Sequence, residues 1–424
     1  MAKMNRRTLV AGAAAAGIAA STMGTGITSA AARQDGKTEL TIYHIWGTPP
    51  GGTPAETAAP MTQVVDAFNE QSDTVFINQV TPGGYNETLQ KTQADLAAGN
   101  PPDLVSNPWA FLDFAVNGLG ANDLATVAGD RLPELQALIS DYAWPLVTKD
   151  EKLYGLPWGL STPIIYYNAD IFEAAGVDPA VAFDTWENFA TEAVKLQDYL
   201  DGNPVLALSY NKDWPAQTII QSNGGRVIDD EGNIGITSPE AIAAMQTIAD
   251  LDQAGLYDRG TSAELSPSFL AGSTAVITSS VASIRSMRTN ATFTLGTSTW
   301  PKFGDKPISA STGGSFLAVY TRDEAKYDAI VEFFLFAAGE VGYPLWNQTG
   351  YINISKLDLD ILEGQEPAYA QFEAGLIRET NWPGSRGLEE QTVWGTYVER
   401  IWANDIGVED GLNEALSEIE ALLD

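Results

Sequence analysis

The chain of 424 residues contains no cysteine and a single histidine, His44. The first absence excludes disulfides, thiolate metal sites, iron–sulfur clusters and cysteine nucleophiles. The second leaves one imidazole, too few for a multi-histidine zinc centre. Basic residues are also scarce, 23 Lys+Arg against 55 Asp+Glu, a net charge of −32. That balance opposes nucleic acid, whose affinity comes largely from neutralising phosphate, and equally opposes anionic lipid. It reads as a solvated acidic surface that favours solubility. No stretch reaches the ~18 continuous apolar residues of a membrane-spanning helix. Familiar catalytic signatures are missing too: no G-x-x-x-x-G-K-[ST] loop, no H-E-x-x-H and no G-x-S-x-G elbow. A Ser–His–Asp triad would need His44, which sits in a strand-like run and reads as a satisfied structural histidine. With 55 acids some carboxylate pair always has glycosidase spacing, so abundance points to no particular pair. Asp229-Asp230-Glu231-Gly232-Asn233 lacks the spaced ligands of a calcium loop and reads as an exposed β-turn. No metal or other cofactor is expected.

What remains is a globular composition, 44% hydrophobic and 18% charged, long enough for two or three domain-sized cores. Residues 1–32 read as an export signal. Lys3, Arg6 and Arg7 precede a mild apolar run from Leu9 to Ala20, and Ala30-Ala31-Ala32 offers a cleavage site. The Arg6-Arg7 pair fits the twin-arginine type.

The mature chain alternates strand-like and helix-like patterns. Leu40–Tyr43, Thr74–Val80 and Asp103–Ser106 are short β-rich runs. Between them, Met61, Val64, Val65 and Phe68 recur at helical spacing, and Tyr85–Ala98 is a helix ended by Gly99-Asn100-Pro101-Pro102. The middle repeats this logic. Pro163–Asn168, Val205–Tyr210 and Ala275–Thr278 are strand-like. Asp184 with Glu187 resembles a capping box, and Ser238-Pro239-Glu240 opens a helix closed by Gly255. Tyr327, Ile330, Val331, Phe334 and Leu335 mark a buried helical face, and Gly411–Asp424 is an acidic amphipathic helix. The order predicts an α/β protein of two lobes, each a mostly parallel sheet flanked by helices.

Tryptophan is plentiful and oddly placed. Many of the 11 lie beside Pro or Gly, six of them being Trp46, Trp109, Trp158, Trp214, Trp300 and Trp382. Aromatics on loops at strand ends are expected to form flat, partly exposed walls suited to sugar rings, with nearby Asn, Asp, Ser and Tyr for hydroxyls. In open α/β sheets ligands bind at those strand ends.

Several ordered segments resemble the bacterial extracellular solute-binding proteins of ABC importers. The most specific is Leu153-Tyr154-Gly155-Leu156-Pro157-Trp158 leading to Ser161-Thr162-Pro163-Ile164-Ile165-Tyr166-Tyr167-Asn168. Ala97-Ala98-Gly99-Asn100-Pro101-Pro102-Asp103-Leu104, Gly313-Gly314 and Thr349-Gly350-Tyr351-Ile352 support it. The likeness covers about residues 38–420 and is greatest to the branch containing the glycerol-3-phosphate-binding protein, with maltose-type sugar binders further off. It implies a periplasmic-binding-protein fold whose two lobes close over a ligand about a hinge of crossing strands. The crossings fall near 158–163, 308–313 and 353–356. Lobe one then comprises 37–158 plus 313–353, and lobe two 159–308 plus 356–424.

By the same resemblance, Tyr85, Ser161, Trp214, Ser280, Gly314, Tyr351 and Arg386 match cleft positions of the glycerol-phosphate binder, and Arg386 is the residue expected to meet an anion. Trp109 stands where that protein has a ligand-binding glutamate, a change from hydroxyl acceptor to stacking ring that favours a sugar. Trp46 joins the set as a loop aromatic. The implied function is an exported, monomeric, non-enzymatic protein, periplasmic or at the extracellular face of the cell membrane. It binds a mono- or oligosaccharide and delivers it to the membrane permease of an ABC importer. The alternatives are glycerol 3-phosphate or a glycerophosphodiester as ligand, and, more remotely, a secreted glycosidase.

Overall fold

The computed structural model describes residues 36–46, 59–208, 213–229, 232–260 and 262–423. The signal reading at 1–32, the turn-rich stretch 47–52, the end of the 205–210 strand and the acidic tip at 230–231 lie outside these residues. The described part from residue 36 onward belongs to a single compact unit.

Among the described residues twelve strands run in chain order: β1 Thr38–Tyr43, β2 Val75–Val80, β3 Leu104–Pro108, β4 Thr148–Lys149, β5 Lys152–Leu153, β6 Leu156–Ser161, β7 Pro163–Asn168, β8 Leu206–Leu208, β9 Tyr257–Asp258, β10 Val276–Ser280, β11 Leu295–Ser298 and β12 Gly313–Val319. They build two five-stranded sheets, ordered β2-β1-β3-β12-β6 and β11-β7-β10-β8-β9, and the small β4-β5 hairpin. In the first sheet β1 pairs parallel with β2 and β3, as β-α-β connections require. The returning strand β12 pairs antiparallel with β3 and β6. The second sheet repeats the scheme: β8 is parallel to β9 and β10, while β7 is antiparallel to β10 and β11. Parallel pairing thus holds where helices connect the strands, and antiparallel pairing where the chain arrives from the other sheet.

The passages between sheets are short. β6 ends at Ser161 in the first sheet and β7 begins at Pro163 in the second, with only Thr162 between. The chain returns between β11 and β12, where Ser311 bridges Ile377. Near the third expected crossing, Ile352 bridges Leu160 and Ser355 bridges Ile139.

The helices cover the sheets with the faces their periodicity gives. Helix Ala59–Gln71 buries Met61, Val64, Val65 and Phe68. Helix Tyr327–Ala338 buries Ile330, Val331 and Phe334, and Phe68 meets Phe333 and Phe336 edge-on. Helix Trp186–Tyr199 packs Trp186, Phe189 and Ala193 inward. Its cap, however, is Thr185, whose hydroxyl accepts from the Asn188 N–H at 3.1 Å. Asp184 instead forms an ion pair with Lys302. One position decides the cap because only Thr185 has its oxygen within reach of the free N–H groups of the first turn. Ser238 caps helix Pro239–Gln253 as its sequence suggests. On either side of the acidic stretch Ile228 and Ile234 bridge as antiparallel partners, and Asp229 accepts from the Asn233 N–H.

Among the described residues no helix is long and apolar enough to cross a membrane. His44 is buried. Its Nε2 meets Gln79 Oε1 at 3.0 Å, and its Nδ1 accepts from the Trp46 N–H at 3.1 Å. Burial holds its pKa down at about 4, so the ring is neutral and structural at physiological pH.

Candidate ligand cavity

A cavity of about 380 Å³ opens where the carboxyl ends of both sheets' parallel strands converge. Ile45 follows β1. Gly84, Tyr85, Asn86 and Glu87 form the start of the helix after β2, Pro108 ends β3, and Ala110 and Phe111 lie in the turn that follows it. From the other sheet, Asp213 and Trp214 begin the helix after β8, and Ser280 ends β10. Ser161, Gly313 and Gly314 come from the strands that pass between sheets. Tyr351, Glu379 and Gln391 complete the wall. The volume is that of a small-molecule site.

Six sequence-designated residues line this cavity: Tyr85, Ser161, Trp214, Ser280, Gly314 and Tyr351. Trp214 is held by its indole N–H, which donates to the Thr312 carbonyl at 2.9 Å. Gly313 and Gly314 are glycines for a steric reason. A Cβ on Gly313 would lie 2.4 Å from the Trp214 ring. Gly314 has φ +115, and a Cβ there would lie 2.0 Å from the Gly159 carbonyl oxygen. The Tyr351 ring stacks on Trp346 at 5.1 Å, and its hydroxyl accepts from the Trp46 indole N–H at 3.3 Å.

The other three designated residues lie outside the lining. Trp46 is buried behind Tyr351 and packs edge-on against Trp346. Trp109 is fully buried. Its indole N–H donates to the Gly313 carbonyl at 2.9 Å and its ring stacks on Phe316, so no face is free for a sugar. Arg386 is exposed, and its Nε donates to Glu389 Oε2 at 2.7 Å. The expectation of exposed tryptophan walls is corrected in the same way. Trp158, Trp300 and Trp382 are also essentially inaccessible, because each large ring is worth more buried in the core than standing in water. Of the six, Trp214 alone lines the cavity.

Sequence reasoning missed the polar groups that dominate the electrostatics. Asp213 is buried, and its two carboxylate oxygens accept from Gln217 Nε2 and Gln391 Nε2, each at 2.7 Å. Burial raises its pKa to about 6 against the opposing pull of those donors and of the Trp382 and Trp394 indoles. Glu379 is buried as well, with its backbone N–H donating to Thr312 Oγ1 at 2.8 Å. Burial first, and then the charge of Asp213, push its carboxyl well above the usual range. Nothing in the pattern of 376–386 marks Glu379 as an inward residue. Asp213 adjoins Trp214-Pro215, the one hint available.

Two helix N-termini face the cavity, those of Tyr85–Ala97 and Asp213–Ser222. Each carries an acid in its first turn, Glu87 and Asp213 respectively, which meets the positive end of the dipole. No Lys, Arg or His appears among the described residues of the lining. Among the described residues no group of three or more His, Asp or Glu is placed to hold a metal ion.

Comparison with known proteins agrees with this architecture. The chain is 24% identical over 398 residues to the sn-glycerol-3-phosphate-binding periplasmic protein of Pectobacterium atrosepticum, covering 87% of this chain and 89% of that one. It is similar in structure to the ABC substrate-binding protein Lmo0181 of Listeria monocytogenes, solved with cycloalternan (TM-score 0.77, 18% identity, 91% and 99% of the two chains). The UgpB protein of Mycobacterium tuberculosis, solved with glycerophosphocholine, is similar to the same degree (TM-score 0.77, 20% identity, 92% and 99%). These likenesses establish the two-lobed periplasmic-binding-protein fold with its hinge of crossing strands. The family pattern described as bacterial extracellular solute-binding protein matches residues 63–357, well over half of the sequence, and the chain therefore belongs to that family.

Proposed function

We propose that this protein is the exported substrate-binding component of an ABC importer, which takes a mono- or oligosaccharide into the cavity and hands it to the membrane permease. The observation that carries the ligand class is the charge of the wall. Glu87, Asp213 and Glu379 face the cavity with no basic residue among the described lining. A phosphate monoester would meet carboxylates where it needs cations, and the two helix N-termini that could hold it already carry acids. A sugar suits the same wall. Its hydroxyls find Ser161, Ser280, Tyr85, Tyr351, Asn86 and Gln391, and its C–H face finds Trp214.

The lobes 37–158 plus 313–353 and 159–308 plus 356–424 close about the crossings near 158–163, 308–313 and 353–356. A ligand touching residues from both sheets gains its full contact only in the closed state, so it shifts the population there. The permease reads that state. The protein acts as a monomer without enzymatic activity, consistent with a surface of net charge −32 that repels like copies.

The test is calorimetric titration of the mature protein with glucose, maltose, maltotriose, cellobiose, trehalose and glycerol 3-phosphate. Saturable binding of a sugar, with glycerol 3-phosphate silent, is expected. Tight binding of glycerol 3-phosphate with silent sugars would sink the carbohydrate reading, and turnover of a bound oligosaccharide would make the protein a glycosidase.

A further inference from the structure

Glu379 lines the cavity, is 8% exposed, and its Oε2 has no hydrogen-bond partner. A second buried acceptor stands in the same wall, Gln391 Oε1, also without a partner. The orientation of that amide is fixed by chemistry. Its other end must donate, because it meets Asp213 Oδ2 at 2.7 Å, and a carboxylate oxygen accepts. The third member, Asp213, is 2% exposed and already receives two donors, yet it keeps a negative charge beside Glu379. This corner of the cavity therefore offers acceptor oxygens and the negative charge of Asp213, and a cation placed there would draw the raised Glu379 carboxyl back to its ionised, acceptor-only form.

A buried acceptor left empty costs free energy, and a buried charge left unpaired costs more. A neutral hydroxyl supplies one donor, brings acceptors of its own and leaves the charge uncompensated. An ammonium group supplies three donors, brings no acceptor and cancels one charge. We propose that the Glu379–Gln391–Asp213 corner is a subsite for a protonated amine, and that the natural ligand is a carbohydrate bearing a basic nitrogen. The inference rests on the carbohydrate reading of the cavity. The acceptor geometry adds the amine.

Matched probes separate the two. Glucosamine and its β-1,4-linked dimer and trimer are titrated against glucose, cellobiose and cellotriose at pH 7, with glycerophosphocholine as a non-sugar cation. The expected result is binding of an amino sugar at least about tenfold tighter than its neutral match. Glu379→Gln keeps the size of the side chain and removes the ionisable carboxyl, and the ratio of amino-sugar to neutral-sugar affinity should fall to about threefold or less. Gln391→Ala is the second variant and should also lower the preference. Equal or tighter binding of the neutral sugars overturns the amine subsite and leaves the carbohydrate reading standing. Binding of glycerophosphocholine with every sugar silent overturns both, because its quaternary ammonium has no N–H to give these acceptors. Silence of all probes overturns both.

Discussion

Replacing Asp213 by Asn should change how stability depends on pH in a calculable way. In the folded protein the Asp213 pKa rises from 3.8 to about 6, chiefly through burial. The folded state therefore holds a proton that the unfolded chain has already released between those two values. Stability falls with rising pH wherever the native state binds more protons, so this contribution is fully present below pH 3.8 and is lost as pH climbs through about 6. A rise of about two pH units corresponds to about 3 kcal/mol between pH 4 and pH 7. Glu379 adds to the effect with the same sign, because the charge of Asp213 is part of what raises its carboxyl. In Asp213→Asn that group no longer titrates. One of the two glutamine donors, Gln217 or Gln391, then faces an amide N–H₂, a loss independent of pH. Urea unfolding of both proteins from pH 4 to pH 7.5 gives two stability curves. Their difference cancels every distant acid. It should shift by about 3 kcal/mol across the window, in favour of the variant at the high end. A difference that stays flat with pH would refute the assignment of Asp213 as a buried, proton-retaining carboxyl.

Trp214→Ala should weaken the tightest-binding sugar of the panel by about 10- to 100-fold, since it removes the one tryptophan of the lining, and titration calorimetry measures this. Trp109→Phe should instead leave affinity within about threefold and lower unfolding free energy by about 2 kcal/mol, because the buried indole donor to Gly313 is lost. Arg386→Ala should leave sugar affinity unchanged by calorimetry, as its partner is the exposed Glu389 and not the cavity. Gly314→Ala should destabilise by about 2–5 kcal/mol in denaturant unfolding, from positive φ and overlap with the Gly159 carbonyl. Gly395→Ala, mid-helix with open space around its Cβ position, should stabilise by about 0.5–1 kcal/mol in the same assay.

Local signals announced their elements because local chemistry decides them. The helical spacing of Met61, Val64, Val65 and Phe68 leaves one face to bury, and the structure buries it. Ser238-Pro239 starts a helix because the cap and the missing proline N–H both fit the first turn. The Asp184/Glu187 pattern misled by one residue, since Thr185 carries an equally good oxygen and stands one step closer to the free N–H groups. The tryptophans misled more seriously. Adjacency to Pro or Gly identifies a turn, but whether the ring then points outward or into the core depends on packing from distant segments: Trp109 meets Phe316, and Trp158 meets Trp346.

The sequence by itself determined the class of protein. The absence of cysteine, the single histidine, the acidic balance and the β-α-β order are properties of composition and of short-range pattern, and they exclude cysteine chemistry and multi-histidine metal centres and favour an α/β fold. Tertiary structure alone decided the wall of the cavity. Asp213, Glu379 and Gln391 are separated by up to 178 residues and share no motif, and Asp213 and Gln391 touch because a helix of one stretch packs on a helix of another. Burial, which raises both carboxyls and leaves Glu379 Oε2 without a partner, is a property of that assembled environment and of no segment within it.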